Sequence, residues 1–228
     1  MCGRYTLTVT LDALKTFLAA EGGQNLAERH NVAPTQEAPV IRLGGDDVRR
    51  IAMLRWGLVP GWAKDLSFAA NAINARAESV AEKPTFREAF RRRRCLVPAD
   101  GYFEWMVTGK ARQPYYFTLK AGGTMVFAGL WERWAPAGAE PVETFGFITV
   151  DASPDVTPVH DRMPVLLDSA GSAAWLDPKT SLGDLQTLLT PAPAGRLIHH
   201  AVSTAVNSAR AEGPELIRPV EPAQPRLL

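Results

Sequence analysis

The sequence predicts an α+β fold, a twisted, barrel-like and mostly antiparallel sheet with helices around it, in one domain over residues 1–228. Three observations point there. Short runs rich in β-branched and aromatic residues recur through the middle of the chain, punctuated by glycine and proline. Helical periodicity is confined to brief stretches at irregular intervals, unlike the steady alternation of a parallel α/β fold. The 228 residues are 46% hydrophobic and 21% charged, enough to bury one sizeable core, with no internal repeat, dividing linker or low-complexity block.

Thr10 is placed to cap a helix carrying Leu11, Leu14, Phe17 and Leu18 at helical spacing, with Gly22-Gly23 as its stop. Residues 40–43 and 48–56 read as two strands around the turn Gly44-Gly45-Asp46-Asp47. Residues 58–68 form a loop bearing Pro60-Gly61-Trp62. Pro84 suits a first helical position, with Phe86 and Phe90 sharing a face of the helix. Strands follow at 95–97, 102–106, 115–119, 125–131 and 145–150, separated by Gly109, Gly122-Gly123 and the loop 136–141. Helices near 173–176 and 182–189, a last strand at 197–202 and a loose tail at 221–228 complete the chain.

Charge excludes one class of function. Lys and Arg number 25 against 24 Asp and Glu, a net charge of +1, so any affinity for nucleic acid must reside in a local patch. The Arg91-Arg92-Arg93-Arg94 run reads as a solvated helix end, with Glu88 paired to Arg92 and the cations favouring the helix dipole. No apolar run is long enough to span a bilayer and no export signal is visible, so the reading is cytoplasmic, with Cys2 and Cys95 reduced. His199-His200 would point to opposite faces of a strand, and no Cys or His spacing suits zinc, so neither metal nor cofactor is expected.

Cys2 carries the chemistry. Removal of Met1 would expose an α-amine beside the Cys2 thiol. An α-amine has a pKa near 8, so about a fifth is neutral at pH 7.4, against roughly a thousandth of a lysine. The neutral amine is the form that attacks a carbonyl. A 1,2-aminothiol can then close its sulfur onto the imine carbon, giving a five-membered thiazolidine with the advantage of a tethered nucleophile.

Other motifs stand in a fixed order around this terminus. Met1-Cys2-Gly3-Arg4-Tyr5 is followed by Asn31-Val32-Ala33-Pro34, Trp56-Gly57-Leu58-Val59-Pro60-Gly61-Trp62 and Ile73-Asn74-Ala75-Arg76-Ala77-Glu78. Then come Cys95-Leu96-Val97-Pro98-Ala99-Asp100-Gly101-Tyr102-Phe103-Glu104-Trp105, His160-Asp161-Arg162-Met163-Pro164 and Ala205-Val206-Asn207. Together they closely resemble the SRAP family (SOS response-associated peptidase), from Cys2 to about residue 220. The resemblance implies capture of abasic sites in single-stranded DNA through a thiazolidine between Cys2 and the ring-opened aldehyde. It also implies autoproteolytic loss of Met1, hydrolase- or lyase-type chemistry, and a monomer without membrane association.

Carried over by position, Cys2 is the crosslinking residue. Asn74 orients the amine or the sugar hydroxyls, Glu104 moves protons, and His160 assists at the opened sugar and in reversal. Arg4 and Arg76 match phosphate-binding arginines, with Arg162 beside them. Trp62 is the residue for stacking or wedging at the lesion, while Pro34, Trp105 and Thr149 line the groove. Trp56, Trp131 and Trp175 belong to the core. Taken singly, Asn74 also fits a turn cap, Glu104 half of a salt bridge, and His160 a partner for a buried carbonyl.

The main rival is an N-terminal-nucleophile amidohydrolase or peptidase. Class II glutamine amidotransferases also begin Met-Cys-Gly, but the motifs of a glutamine pocket and oxyanion hole are not found here. A noncovalent single-strand binder is the third reading. The chain departs from commoner family forms at Ala77-Glu78, at Met163 and at Asn207-Ser208-Ala209-Arg210, which bears on DNA contacts more than on chemistry.

Overall fold

The computed structural model describes residues 2–24, 26–138 and 140–222. Met1, Ala139 of the predicted loop and most of the predicted tail (223–228) lie outside them. In chain order the strands are β1 (Arg4–Leu7), β2 (Ala20–Gly22), β3 (Arg29–Val32), β4 (Glu37–Leu43), β5 (Arg49–Trp56) and β6 (Asn74–Arg76). They continue as β7 (Arg94–Ala99), β8 (Gly101–Thr108), β9 (Ala111–Leu119), β10 (Met125–Trp134), β11 (Val142–Asp151), β12 (Arg162–Pro164) and β13 (Leu197–Ala201). The α-helices are α1 (Leu11–Leu18), α2 (Arg87–Arg92), α3 (Ser169–Leu176) and α4 (Leu182–Thr187). Short 3-10 turns occupy Leu66–Asn71, Ala77–Ser79, Thr204–Asn207 and Pro214–Ile217. Among the described residues no helix is long and apolar enough to cross a membrane.

The strands form two sheets. One is antiparallel and five-stranded, in the order β13-β9-β8-β1-β3. In the other, β5, β4, β7, β10 and β11 follow one another, and β11 returns to pair in parallel with β5 at Thr144 and Phe145. That pairing closes a barrel, so the edges that an open sheet would present are joined. The predicted α+β, barrel-like architecture is what the chain adopts, with β2, β6 and β12 added at the barrel's margins.

Side-chain alternation divides the five-stranded sheet into two faces. Tyr5, Tyr102 and Phe117 look toward the barrel, where Tyr5 and Tyr102 meet Phe127 edge-on with centroids 6.2 and 6.1 Å apart. Phe103 and Tyr116 look the other way and form a second cluster with Val202, Val206 and Leu216 of the C-terminal segment. Gly101 is required between β1 and β9, because a Cβ there would come within 2.4 Å of the Tyr116 ring.

Several local expectations need correction. Gly22-Gly23 does not end the first helix. Thr10 caps it as predicted, accepting from the Ala13 N–H, but Ala19 terminates it in the left-handed region at φ 48°, ψ 51°. The chain must turn there so that Ala20–Gly22 can pair in parallel with β5; Gly22 is the last paired residue, opposite Ile51, and Gly23 follows it. The 58–68 loop runs into the turn Leu66–Asn71. The strands β1, β2, β3, β6 and β12 are additional to the predicted set; four residues or fewer are too few for alternation to be visible. Trp56 and Trp175 are fully buried, whereas Trp131 is half-buried with the Arg42 guanidinium 4.6 Å over its ring. His199 and His200 do face opposite ways, toward Phe117 and Tyr116 respectively.

The arginine run is not one solvated face. Arg92 reaches Glu88 as expected, at 4.0 Å, and Arg91 reaches it as well, at 3.5 Å. Arg93 turns onto Glu132 at 2.5 Å, and Arg94 is buried. Its guanidinium donates to the carbonyls of Trp175, Phe90, Arg91 and Asp177, at 2.6 to 3.0 Å. The carbonyls at the ends of α2 and α3 lack intrahelical partners, and a five-donor planar group satisfies both ends at once. Arg94→Ala is expected to destabilise the fold by about 2 to 4 kcal/mol, because buried carbonyls lose charged donors. Arg92→Ala should stay within about 0.5 kcal/mol. Urea unfolding of the two variants side by side measures the contrast.

Candidate functional site

Cys2 precedes β1, whose register pairs Arg4 with Phe103 and Tyr5 with Tyr102. The antiparallel course therefore carries the residues ahead of Arg4 along Glu104 and Trp105 of β8. Cys2 is fully buried and joins the main core rather than the surface. Its thiol donates weakly to the Arg4 carbonyl at 3.6 Å.

Asn74 is delivered by β6, a three-residue strand pairing in parallel with β11 in the register Asn74 to Phe147. The segment is anchored from below by Trp56, whose indole N–H donates to the Ile73 carbonyl at 3.0 Å. Gly57 makes this approach feasible: at φ 115° its N–H donates to the Phe145 carbonyl, and a Cβ would sit 2.8 Å from that of Ala69. The Asn74 amide nitrogen then donates to the Cys2 carbonyl at 2.8 Å. Its oxygen is buried without a hydrogen-bond partner among the described residues.

His160 arrives on the excursion 152–161 between β11 and β12, pinched shut where the Ala152 N–H donates to the Asp161 carbonyl at 2.9 Å. The Arg162 N–H donates to His160 Nδ1 at 3.0 Å. A backbone N–H can only donate, so in the neutral ring that contact needs a lone pair on Nδ1. Asp161, largely exposed, also has a carboxylate oxygen 3.0 Å from Nδ1. Nε2 faces Glu104 Oε2 across 3.8 Å.

Electrostatics follows from burial. Glu104, 1% exposed, is pushed up to about 8 by loss of water. The Cys2 thiol is raised well above its ordinary value, chiefly by burial and next by the Glu104 carboxylate. Burial also lowers His160. Near neutral pH the centre therefore favours a thiol, a carboxylic acid and a neutral imidazole. Such a set can pass protons without creating buried charge.

The structure thus brings together Cys2, Asn74, Glu104 and His160. The predicted DNA-contact residues are arranged less uniformly. Arg76 is exposed at the end of β6, and Trp62 is 59% exposed on its loop, edge-on to Phe68 with centroids 5.2 Å apart. Pro34 and Trp105 are half-buried. Arg4 is half-buried, donating to the carbonyls of Gly3 at 2.8 Å and Asn207 at 3.5 Å. Thr149 is fully buried and donates to the Ala75 carbonyl at 3.5 Å, so it supports β6 rather than presenting a surface. Arg162 is occupied by Glu78 at 2.8 Å, Asp151 at 2.6 Å and the Thr149 carbonyl at 2.7 Å.

Three participants carry no role in the sequence reading, although each lies in a motif that it quotes. Glu78 anchors Arg162. Asn207 accepts from the Trp105 indole at 2.7 Å. Asn31, fully buried, donates to the carbonyls of Val206, Ser208 and Ala211 at 3.4, 2.9 and 3.0 Å. A lone amide inside a buried strand was the available signal for Asn31.

A model of the family described as SOS response associated peptidase (SRAP) matches residues 1–209. The chain is 39% identical over 222 residues to abasic site processing protein YoqW of Bacillus subtilis (strain 168), covering 95% of this chain and 99% of that one. It is 29% identical over 269 residues to abasic site processing protein HMCES of Gallus gallus, covering 99% of this chain and 80% of the relative. A crystal structure of a protein from Bacteroides thetaiotaomicron superposes with a TM-score of 0.86 at 26% identity, over 96% of this chain and all of that one.

The raised Glu104 has a consequence for stability. The folded state holds this proton more tightly than the unfolded chain, so its contribution is complete below the ordinary carboxyl pKa and is lost as pH rises toward about 8. Between pH 5 and 8 the wild type should lose thermal stability relative to Glu104→Gln, which carries no such proton. The gap in Tm should widen by at least about 3 °C, measured by melts at matched ionic strength. A constant gap would mean that Glu104 does not titrate as its burial dictates.

Proposed function

This chain belongs to the SOS response associated peptidase (SRAP) family, and on that premise we propose that it processes abasic sites in single-stranded DNA by covalent capture at Cys2. The observation that carries the reading is the convergence of Asn74, Glu104 and His160 on the buried second residue of the chain. The names of its relatives supply the lesion.

The reaction begins when water hydrolyses the Met1–Cys2 peptide bond, releasing methionine and freeing the Cys2 amine. The neutral amine adds to C1′ of the ring-opened abasic sugar, giving a carbinolamine. Loss of water from it gives an imine, and the acid form of Glu104 protonates the departing hydroxyl. The Cys2 thiol then adds across the C=N bond: sulfur bonds to C1′ and the thiol proton passes to nitrogen. The net result is a thiazolidine and one released water. Asn74, through its free amide oxygen, orients the amine, and His160 exchanges protons with the sugar hydroxyl and with Glu104.

A neutral thiol suits this order of events. The amine forms the first bond and sulfur only closes the ring, so a thiolate is not needed to begin. Arg4 and Arg76 hold flanking phosphates, and Trp62 stacks on a neighbouring base. Arg162 is already paired with two carboxylates, so its main part is to hold the His160 turn through its own N–H.

Mature protein mixed with single-stranded DNA bearing one abasic site should give a band shift on a denaturing gel. Its intact mass should equal protein lacking Met1 plus DNA minus one water. Cys2→Ala should give no such adduct, and Glu104→Gln should slow its formation at least about tenfold. Full-rate crosslinking by Cys2→Ala would sink the assignment of the nucleophile. Separately, Trp62→Ala should weaken binding to undamaged single strands by about 1 to 3 kcal/mol, read by fluorescence anisotropy.

A further inference from the structure

The outer face of the five-stranded sheet is covered by residues 202–217, and this segment does more than close a core. It touches two of the predicted DNA-contact positions, Trp105 and Arg4, and reaches the neighbour of a third, Pro34, through Gln36. Asn207 Oδ1 accepts from the indole N–H of Trp105 at 2.7 Å. The Asn207 carbonyl accepts from the Arg4 guanidinium at 3.5 Å. The Ala209 carbonyl accepts from the Gln36 amide at 3.2 Å, and Gln36 in turn accepts from the Ala33 N–H beside Pro34 at 3.0 Å.

The segment is itself pinned. Asn31, buried in β3, ties three of its carbonyls to the sheet. Glu212 accepts from the His30 N–H and pairs with Arg29 at 3.1 Å. A segment held this firmly can serve as a template for the side chains that lean on it. Trp105 and Arg4 are both only half-buried, and each would otherwise sample several rotamers. Ordering such side chains before the ligand arrives removes an entropy cost from binding.

From this geometry we infer that Asn207 is a positioning residue: it fixes the Trp105 indole and the Arg4 guanidinium in the orientation that receives the DNA strand. The inference rests on the abasic-site reading above. Asn207 acts on strand binding and not on bond formation, since the ring that its side chain holds, Trp105, lies on the face of the sheet opposite Glu104. Alternation along β8 sends Glu104 inward with Tyr102, and Trp105 outward with Phe103.

The test measures crosslinking rate against concentration of abasic single-stranded DNA for wild type, Asn207→Ala, Trp105→Phe and the double variant. Trp105→Phe keeps a ring but lacks the indole N–H, so it probes the same bond from the other side if Asn207→Ala fails to fold. Each single variant should raise the half-saturating DNA concentration at least about fivefold, with the rate at saturation within twofold of wild type. The double variant should resemble Trp105→Phe alone, because Asn207→Ala has no indole N–H left to lose once that ring is replaced. Purely additive effects, or a fall in saturating rate with unchanged half-saturation, overturn the proposal. Unchanged single variants overturn it too. If wild type itself fails to crosslink, the abasic-site reading has failed instead, and the two failures are told apart in one experiment.

Discussion

β11 has partners along both edges, and the rest of the architecture depends on that. One edge pairs with β10 and then with β12, the other with β5 and then with β6. Backbone N–H and C=O groups this deep in a core must all be satisfied, so each change of partner along β11 has to be matched by another strand arriving in register. The pairing with β5 closes the barrel. The pairings with β6 and β12 place Asn74 and the His160 turn at one end of it. The same hydrogen-bond requirement thus builds the scaffold and assembles the candidate site.

Burial governs the chemistry there. Removing water from Cys2, Glu104 and His160 favours the uncharged form of each, and the Glu104 carboxylate raises the Cys2 thiol further. A surface glutamate would be ionised at neutral pH and could only accept a proton, whereas Glu104 can also give one. The cost is a polar cluster lodged in the core, and the Asn74 amide oxygen, left without a hydrogen bond among the described residues, belongs to that cost.

The two faces of the five-stranded sheet present different side chains. The inner face presents Glu104 and packs aromatic rings against the barrel; the outer face carries Trp105, Arg4 and the segment that braces them. Neighbours on one strand are thereby committed to different surroundings by nothing more than the pleat.

The sequence by itself determined the fold class, the longer strands, the capped first helix and the buried Trp56 and Trp175, while Cys2, Asn74, Glu104 and His160 were named as a set through the family resemblance. Periodicity, turn residues and motif order are local properties, and they survive being read in one dimension. Tertiary structure alone decided what depends on long-range partners. The short strands β1, β6 and β12 exist because neighbours complete their hydrogen bonds, not because three or four residues prefer to be extended. Ala19 ends a helix where glycines were the local candidates, since the next residues must reach β5. Arg94 leaves an otherwise solvated run to satisfy helix ends contributed by α2 and α3. Arg162 and Thr149 read as groove residues by position, yet two carboxylates engage the first and complete burial encloses the second. A sequence specifies which groups a residue can bond; only the folded chain specifies which of them come within reach.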